Sequence, residues 1–306
     1  MKKNWFLKYT LWSVIVGMTI FQTPESRADT GMDFLKIDVD ARAAAMGGAY
    51  TALSSGATAT FWNPAGLNHT DSRSLHLMHN SWIADIRQEF LAVQFMRGRH
   101  NLAFSVNTFI IPGIEIRGEV PTVEPSGTVE ALNFAAALSY ATIIKEDWQV
   151  GINLKYLYEK YYMELAPGWA ADLGLKKTDI WRGMDWGLTM QNLGKMAVLK
   201  NRQTNLPMLI RTGLAYELPW TVTGQSPIMA TDIQYVKDDK VSVRLGGELR
   251  LLQYIALRSG LILNDETTYW TGGFGLRFRD YVLHYAYQNF EWDLGSTHRI
   301  SLGFQF

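Results

Sequence analysis

From Ser74 to Phe306 apolar and polar positions alternate with a period of two. Trp148, Val150, Ile152, Leu154, Tyr156 and Tyr158 share one face, against Gln149, Gly151, Asn153, Lys155 and Glu159 on the other. Val241, Val243, Leu245, Leu249 and Leu251 likewise oppose Ser242, Arg244, Gly246, Glu248 and Arg250. Leu102, Phe104 and Val106 oppose Asn101, Ala103, Ser105 and Asn107, and Ile300, Leu302 and Phe304 oppose Arg299, Ser301 and Gly303. Alternation sustained over about ten residues predicts strands with one apolar and one polar face. Such segments are read at 74–83, 87–97, 99–110, 128–143, 147–161, 167–177, 182–194, 206–217, 226–236, 239–250, 253–263, 268–278, 280–289 and 296–306. That makes fourteen, with twelve and sixteen as the neighbouring counts.

A soluble sandwich would also alternate. These strands, however, approach the roughly 9–11 residues that cross a bilayer when tilted. Rings such as Trp148 and Tyr158 cap the apolar faces, and Gly, Ala and long charged side chains occupy the other face, as suits a lumen. Every backbone group in hydrocarbon needs a partner, so such a sheet has to close. The expected fold class is all-β: a transmembrane antiparallel β-barrel of about 14 strands over residues 74–306. Its longest link, Pro112–Gly127, contains Pro112, Pro121 and Pro125 and reads as an outer loop, while Lys237–Lys240 reads as a tight turn.

Upstream the pattern breaks twice. Residues 1–28 read as a secretory signal: Lys2, Lys3 and Lys8, then the apolar run Leu11–Phe21, then Ser26-Arg27-Ala28 before a cut. A retained anchor is the alternative, although the run is shorter than the roughly 20 residues of an ordinary span. Residues 29–73 are small, uncharged for long stretches and without a clean period. A short helix is expected over Asp38–Met46, ended by Gly47-Gly48, with Thr51–Thr60 flexible and a turn at Asn63-Pro64. The region reads as an N-terminal hatch that plugs the lumen.

Composition narrows the function classes. Acidic and basic residues number 29 each, which gives no basis for a nucleic-acid partner. Tyr and Trp together number 25, a load that suits the interfacial girdles of a membrane barrel. The absence of cysteine removes thiolate metal sites, cysteine nucleophiles and disulfides. Gly47-Gly48 is not a phosphate loop, because no Lys-Ser/Thr follows and no Gly-x-Gly-x-x-Gly is present.

Three motifs carry a resemblance: Phe34-Leu35-Lys36-Ile37, the run from Ala41 through Gly47-Gly48-Ala49-Tyr50 to Ala52, and Trp62-Asn63-Pro64-Ala65-Gly66-Leu67. Together they resemble the N-terminal signature of the PorV/PorQ family, a branch of the FadL-like long-chain fatty-acid transporter superfamily. The resemblance implies a bacterial outer-membrane barrel of fourteen strands with a hatch in its lumen. It also implies a gate motif at Gly47, Gly48, Asn63, Pro64 and Ala65 beside the wall. In the fatty-acid transporters that motif neighbours a kink in the third strand, which opens sideways into the bilayer. Relatives usually place acidic residues where this chain has Ser54-Ser55-Gly56-Ala57-Thr58, so any ion pair they make there is missing. The terminal Phe306 resembles the signal by which the barrel-assembly machinery recognises such proteins.

The implied functions are two. The first is a partner-binding barrel that holds secreted proteins or secretion-system components, as in type IX secretion. The second is a transporter of long-chain fatty acids or other hydrophobic solutes, with Phe34, Phe61, Trp62 and Leu67 as candidate apolar ligand contacts. Arg244, Glu248, Arg250, Arg258, Arg277, His284 and Arg299 fall on inner faces. They would meet a carboxylate head group or, as the alternative, pair with acids of the plug. The six histidines form no metal-ligand spacing: His76 and His79 point to opposite faces of a strand, and His69 and His100 flank turns. No Gly-x-Ser-x-Gly elbow is present, and neither catalysis nor a cofactor is expected.

Overall fold

In a computed structural model the chain is described at residues 31–69, 73–97, 99–118, 123–145, 148–237, 241–264, 267–290 and 294–306. The expected signal at 1–28 and most of the expected turn at 237–240 lie outside the described residues.

The alternating segments form a closed antiparallel barrel of fourteen strands. They are β1 (Ser74–Ser81), β2 (Arg87–Arg97), β3 (His100–Ile116), β4 (Gly127–Lys145), β5 (Trp148–Tyr161), β6 (Glu164–Trp181) and β7 (Met184–Met196). A two-stranded hairpin follows, β8 (Val198–Leu199) with β9 (Arg202–Gln203). The wall resumes with β10 (Leu209–Glu217), β11 (Ile228–Val236), β12 (Val241–Leu251), β13 (Ile255–Leu263), β14 (Thr268–Phe278), β15 (Tyr281–Asn289) and β16 (Ser296–Gln305). Neighbours in sequence pair throughout, and the β1–β16 seam closes from Ser74↔Gln305 to Ser81↔His298.

Burial shows which face is which. On β5, Ile152 and Leu154 are exposed while Asn153, Lys155 and Glu159 are buried; on β12, Leu245 is exposed while Ser242, Arg244 and Glu248 are buried. The apolar face therefore points outward and the polar face inward, the inverse of a water-soluble protein and the arrangement a bilayer demands. The β16 end, with the start of β1, is also the end of short turns. Five of its six links, 98–99, 146–147, 182–183, 252–254 and 279–280, have two or three residues. The sixth, 218–227, has ten; of the seven links at the opposite end only 162–163 has fewer than four residues, and 117–126 and 197–208 have ten and twelve.

Two expectations need correction. The predicted outer loop Pro112–Gly127 is shorter: β3 continues through Pro112 to Ile116 and the link is 117–126. Proline is tolerated there because the β3–β4 register shifts between Ile111 and Ile114, with Gly113 at φ 70°, so no ladder bond is lost at Pro112. Thr51–Thr60 is not a loose segment but an interior one, with Thr51, Ser54, Ala57 and Thr60 all buried.

Residues 31–69 fold inside the lumen. The predicted helix is observed over Ala41–Ala45, where Asp40 caps it by accepting the Arg42 N–H at 3.0 Å. Gly47 and Gly48 end it at φ 65° and 72°, a left-handed turn that other residues enter at a cost. This helix packs against β13–β16, and the 3-10 helix Pro64–His69 packs against β3–β6 on the other side. The segment thus bridges opposite walls.

Candidate functional site

The lumen is filled in three levels. At the long-loop end Phe34 and Leu35 pack with Phe109, Leu157, Met196 and Leu206 in an apolar cap. The Gly31 N–H donates to Asn205 O at 3.0 Å, tying the start of the segment to the 197–208 link. Phe34 is therefore part of a closed cap.

At mid-height the Gly47-Gly48 turn lies directly on the wall. A Cβ at Gly47 would stand 3.0 Å from Leu261 O and 3.1 Å from Leu245 O. On the wall side, Gly260 faces the backbone of Met46 and Gly47, where any side chain would overlap it. Gly48 leaves room for a buried ion pair, Arg244 Nη1 to Asp38 at 2.8 Å. Arg244 thus ties the segment to β12 through Asp38.

The Asn63-Pro64-Ala65 turn meets the opposite wall in the same manner. Gly151 of β5 faces the backbone of Pro64 and Ala65, and Gly174 of β6 faces Asn63 and the Pro64 ring. The Asn63 side chain donates to Leu175 O at 3.1 Å and to Thr51 O at 3.3 Å, and its Oδ1 accepts the Ala65 N–H at 3.1 Å. One side chain thus ties the turn to itself, to the neighbouring loop and to the wall. Trp62, fully buried, donates from Nε1 to Val39 O at 3.1 Å, with the Arg211 guanidinium over its ring at 4.8 Å. Phe61 packs on Trp62 and Phe90, and Leu67 is buried with Ala59, Ala103 and Ala141. The four apolar candidates Phe34, Phe61, Trp62 and Leu67 are all packed, and they sit in three separate clusters. In the stretch Ser54–Thr58, the Ser54 carbonyl accepts from buried Lys176 at 3.1 Å.

The resemblance implies a kink in the third strand beside this motif. Here β3 pairs without interruption with β2 and, up to Ile111, with β4. The irregularity beside Asn63 lies in β6–β7, between Ala171 and Leu173, where Asp172 accepts from Lys155, Asn153 and Asn192.

Glu248 organises the third level. Its carboxylate receives Arg42 at 2.8 and 3.0 Å, Arg250 Nε at 2.8 Å and Arg258 Nε at 2.6 Å. Burial alone would lower the pKa of the Arg42 guanidinium, but Glu248 together with Tyr50 and Asp40 outweighs it and holds Arg42 above its ordinary value. Arg258 also reaches His284 Nδ1 at 3.2 Å. These groups roof a cavity of about 390 Å³ at the short-turn end, which Arg277 and Tyr50 also line. Four guanidinium groups (Arg42, Arg250, Arg258, Arg277) face two carboxylates, Asp40 and Glu248. Arg299 lies apart, bonded to Gln288 and stacked over Trp82 at 5.2 Å. Phe306 ends the chain beside β1, its N–H and carbonyl paired with Arg73, and its ring stacks on Phe304.

Residues 16–179 match the uncharacterised protein family UPF0164. The chain belongs to that family. A search of curated proteins found no match. Among solved structures, this UPF0164 chain resembles a TodX monoaromatic hydrocarbon channel (deltaS2 mutant) at TM-score 0.58 and 11% identity, over 87% of this chain and 96% of that one. It also resembles a FadL homologue of Pseudomonas aeruginosa at TM-score 0.59 and 10% identity, over 88% and 98%. At such identities the likeness is one of fold, a FadL-type barrel. It supports the FadL-like half of the resemblance and lends nothing to the PorV/PorQ branch or to a secretion role.

Proposed function

We propose that this protein is an outer-membrane channel for small hydrophobic or amphiphilic solutes, closed by its own residues 31–69 acting as a plug. One observation carries the reading: the lumen is filled by a segment tethered to opposite walls, above an arginine-lined cavity open at one end. Short turns mark the periplasmic side of bacterial barrels, so the cavity faces the periplasm and the Phe34 cap faces outward. The regular pairing of β3 with β2 and, up to Ile111, with β4 favours passage along the lumen over a sideways exit at β3. Movement of the plug would expose Phe34, Phe61, Trp62 and Leu67 to the path. The excess of guanidinium groups at its lower end suits a carboxylate head group. FadL-type likeness and the likeness to a monoaromatic hydrocarbon channel agree with an apolar cargo.

A cysteine-free chain allows a clean test. A Cβ at Gly31 would lie 3.7 Å from the Thr204 Cβ, close to disulfide spacing. Gly31→Cys with Thr204→Cys is expected to lock the cap, abolish uptake of a fluorescent fatty acid into proteoliposomes, and restore it on reduction. Asn63→Ala with Pro64→Ala is expected to change the uptake rate while the heat-dependent gel shift of a folded barrel persists. Equal uptake by the oxidised and reduced double cysteine would refute gating at the cap. A barrel that only binds protein partners, with its plug permanently shut, predicts no flux in any of these states.

A further inference from the structure

The lipid-facing wall carries a group that the lumen does not explain. His79 Nδ1 lies 2.7 Å from Glu89 Oε1, and His79 Nε2 lies 3.2 Å from Ser81 Oγ. An ionised glutamate only accepts, so Nδ1 carries the imidazole proton and Nε2 accepts from the serine hydroxyl. That is the order of contacts in a serine hydrolase: nucleophile, base, and a carboxylate fixing the tautomer of the base. We propose that Ser81, His79 and Glu89 form an acyl-ester hydrolase site on the outer wall of this barrel.

The register builds the group. His79 and Ser81 are two apart on β1 and so share a face, and Glu89 of β2 stands directly opposite His79. Asn80 and Gln88, one position away on each strand, point inward and bond to each other at 3.0 Å. Ser81 stands opposite Arg87, which is exposed on the same side. Directly opposed Cβ atoms lie about 5 Å apart, so the Arg87 guanidinium can reach an oxyanion formed beside Ser81. His79 and Glu89 are each about half exposed, so the site is open to a substrate.

The height of the group selects the substrate. Across the β1–β16–β15 ladders His79 is level with Ile300 and Tyr285, and Ser81 with His298 and Tyr287. Tyrosines on the outer face mark the boundary between hydrocarbon and head groups, where acyl ester bonds of lipids lie. The assignment to the outer leaflet rests on the orientation proposed above; the chemistry does not. In the reaction, Ser81 Oγ attacks the ester carbonyl carbon and its proton passes to His79 Nε2. The C–O bond to the alcohol then breaks, and the alcohol leaves with that proton. Water repeats the sequence on the acyl-serine, giving a fatty acid and restoring Ser81. Ser81 and His79 are the catalytic residues, and Glu89 is a positioning residue.

The test uses the full chain in detergent with mixed micelles of a phosphatidylethanolamine, alongside a fluorophosphonate probe. The wild type is expected to release fatty acid and to be labelled at Ser81. Ser81→Ala should lose labelling and about 10³-fold or more in rate. Glu89→Gln should lower kcat by roughly 10²-fold with KM unchanged, and Glu89→Asp should recover part of it. Ser296→Ala, at a serine bonded to His298 instead, should leave both readouts intact. Heat-dependent gel mobility reports that each variant is folded. A folded wild type that is not labelled, a label on another serine, or Ser81→Ala with undiminished hydrolysis would overturn the assignment. None of these results depends on whether the lumen conducts.

Discussion

Replacing Glu248 by Gln is expected to destabilise the plugged state by about 3–5 kcal/mol, because it strips three arginines of a shared buried counter-charge. Glu248 is 3% exposed, and Arg42 and Arg258 bind it at 2.8 and 2.6 Å. The amide nearly preserves shape, so packing is held while the charge is lost, and its NH₂ turns a donor toward donors. Since Arg42 belongs to the plug and Arg250 and Arg258 to the wall, the repulsion acts across the joint between them. The barrel ladders involve no Glu248 side chain and should persist. The expected result is a normal heat-dependent gel shift, a lowered urea midpoint for burial of the plug, and higher ion conductance in planar bilayers. Arg42→Ala should cost less, since it leaves Glu248 two cations. An unchanged midpoint and conductance in Glu248→Gln would mean that the cluster does not hold the plug.

Gly151→Val and Gly174→Val should each expel the Asn63-Pro64-Ala65 turn without harming the wall. A Cβ at Gly151 would overlap the Pro64 and Ala65 backbone, and one at Gly174 would overlap Asn63 and stand 2.8 Å from the Pro64 Cδ. At Gly151 the obstacle is backbone, which cannot rotate away, and at Gly174 it is the Asn63 amide together with the Pro64 ring, which is fixed to that same backbone, so the turn has to leave. Valine suits a strand better than glycine, so the ladder itself gains. The expected product is an assembled barrel whose residues 31–69 become accessible to protease, with solute flux no longer dependent on the Gly31–Thr204 lock. Gly247→Val supplies the control, since a Cβ there meets nothing within 4 Å. A protected plug in the Gly151 and Gly174 variants would show that the wall yields instead.

Much of this architecture was legible because a barrel wall writes itself in a period of two. The read segments 87–97 and 268–278 coincide with β2 and β14, and the others differ by a few residues at their ends. The largest discrepancy, at Pro112, arose because proline ordinarily excludes a strand and nothing local announces a register shift. The segment 31–69 that lies inside the lumen stood out in the sequence only as a loss of period. Its partners were not legible, since Arg42–Glu248 and Asp38–Arg244 each join residues 206 apart in sequence. The Ser81-His79-Glu89 group escaped for the same reason: only the turn length between β1 and β2 decides whether Glu89 or a neighbour stands opposite His79.

The tethering of one segment to opposite walls has a kinetic consequence. Its contacts run from β3–β6 round to β13–β16, so its binding surface exists only once the β1–β16 seam has formed. Refolding into detergent should therefore proceed in two stages, ladder closure first and lumen filling second. Trp62 is the one tryptophan within residues 31–69 and is wholly enclosed in the final state. With the tryptophans of the wall replaced by Phe, its fluorescence would time the second stage.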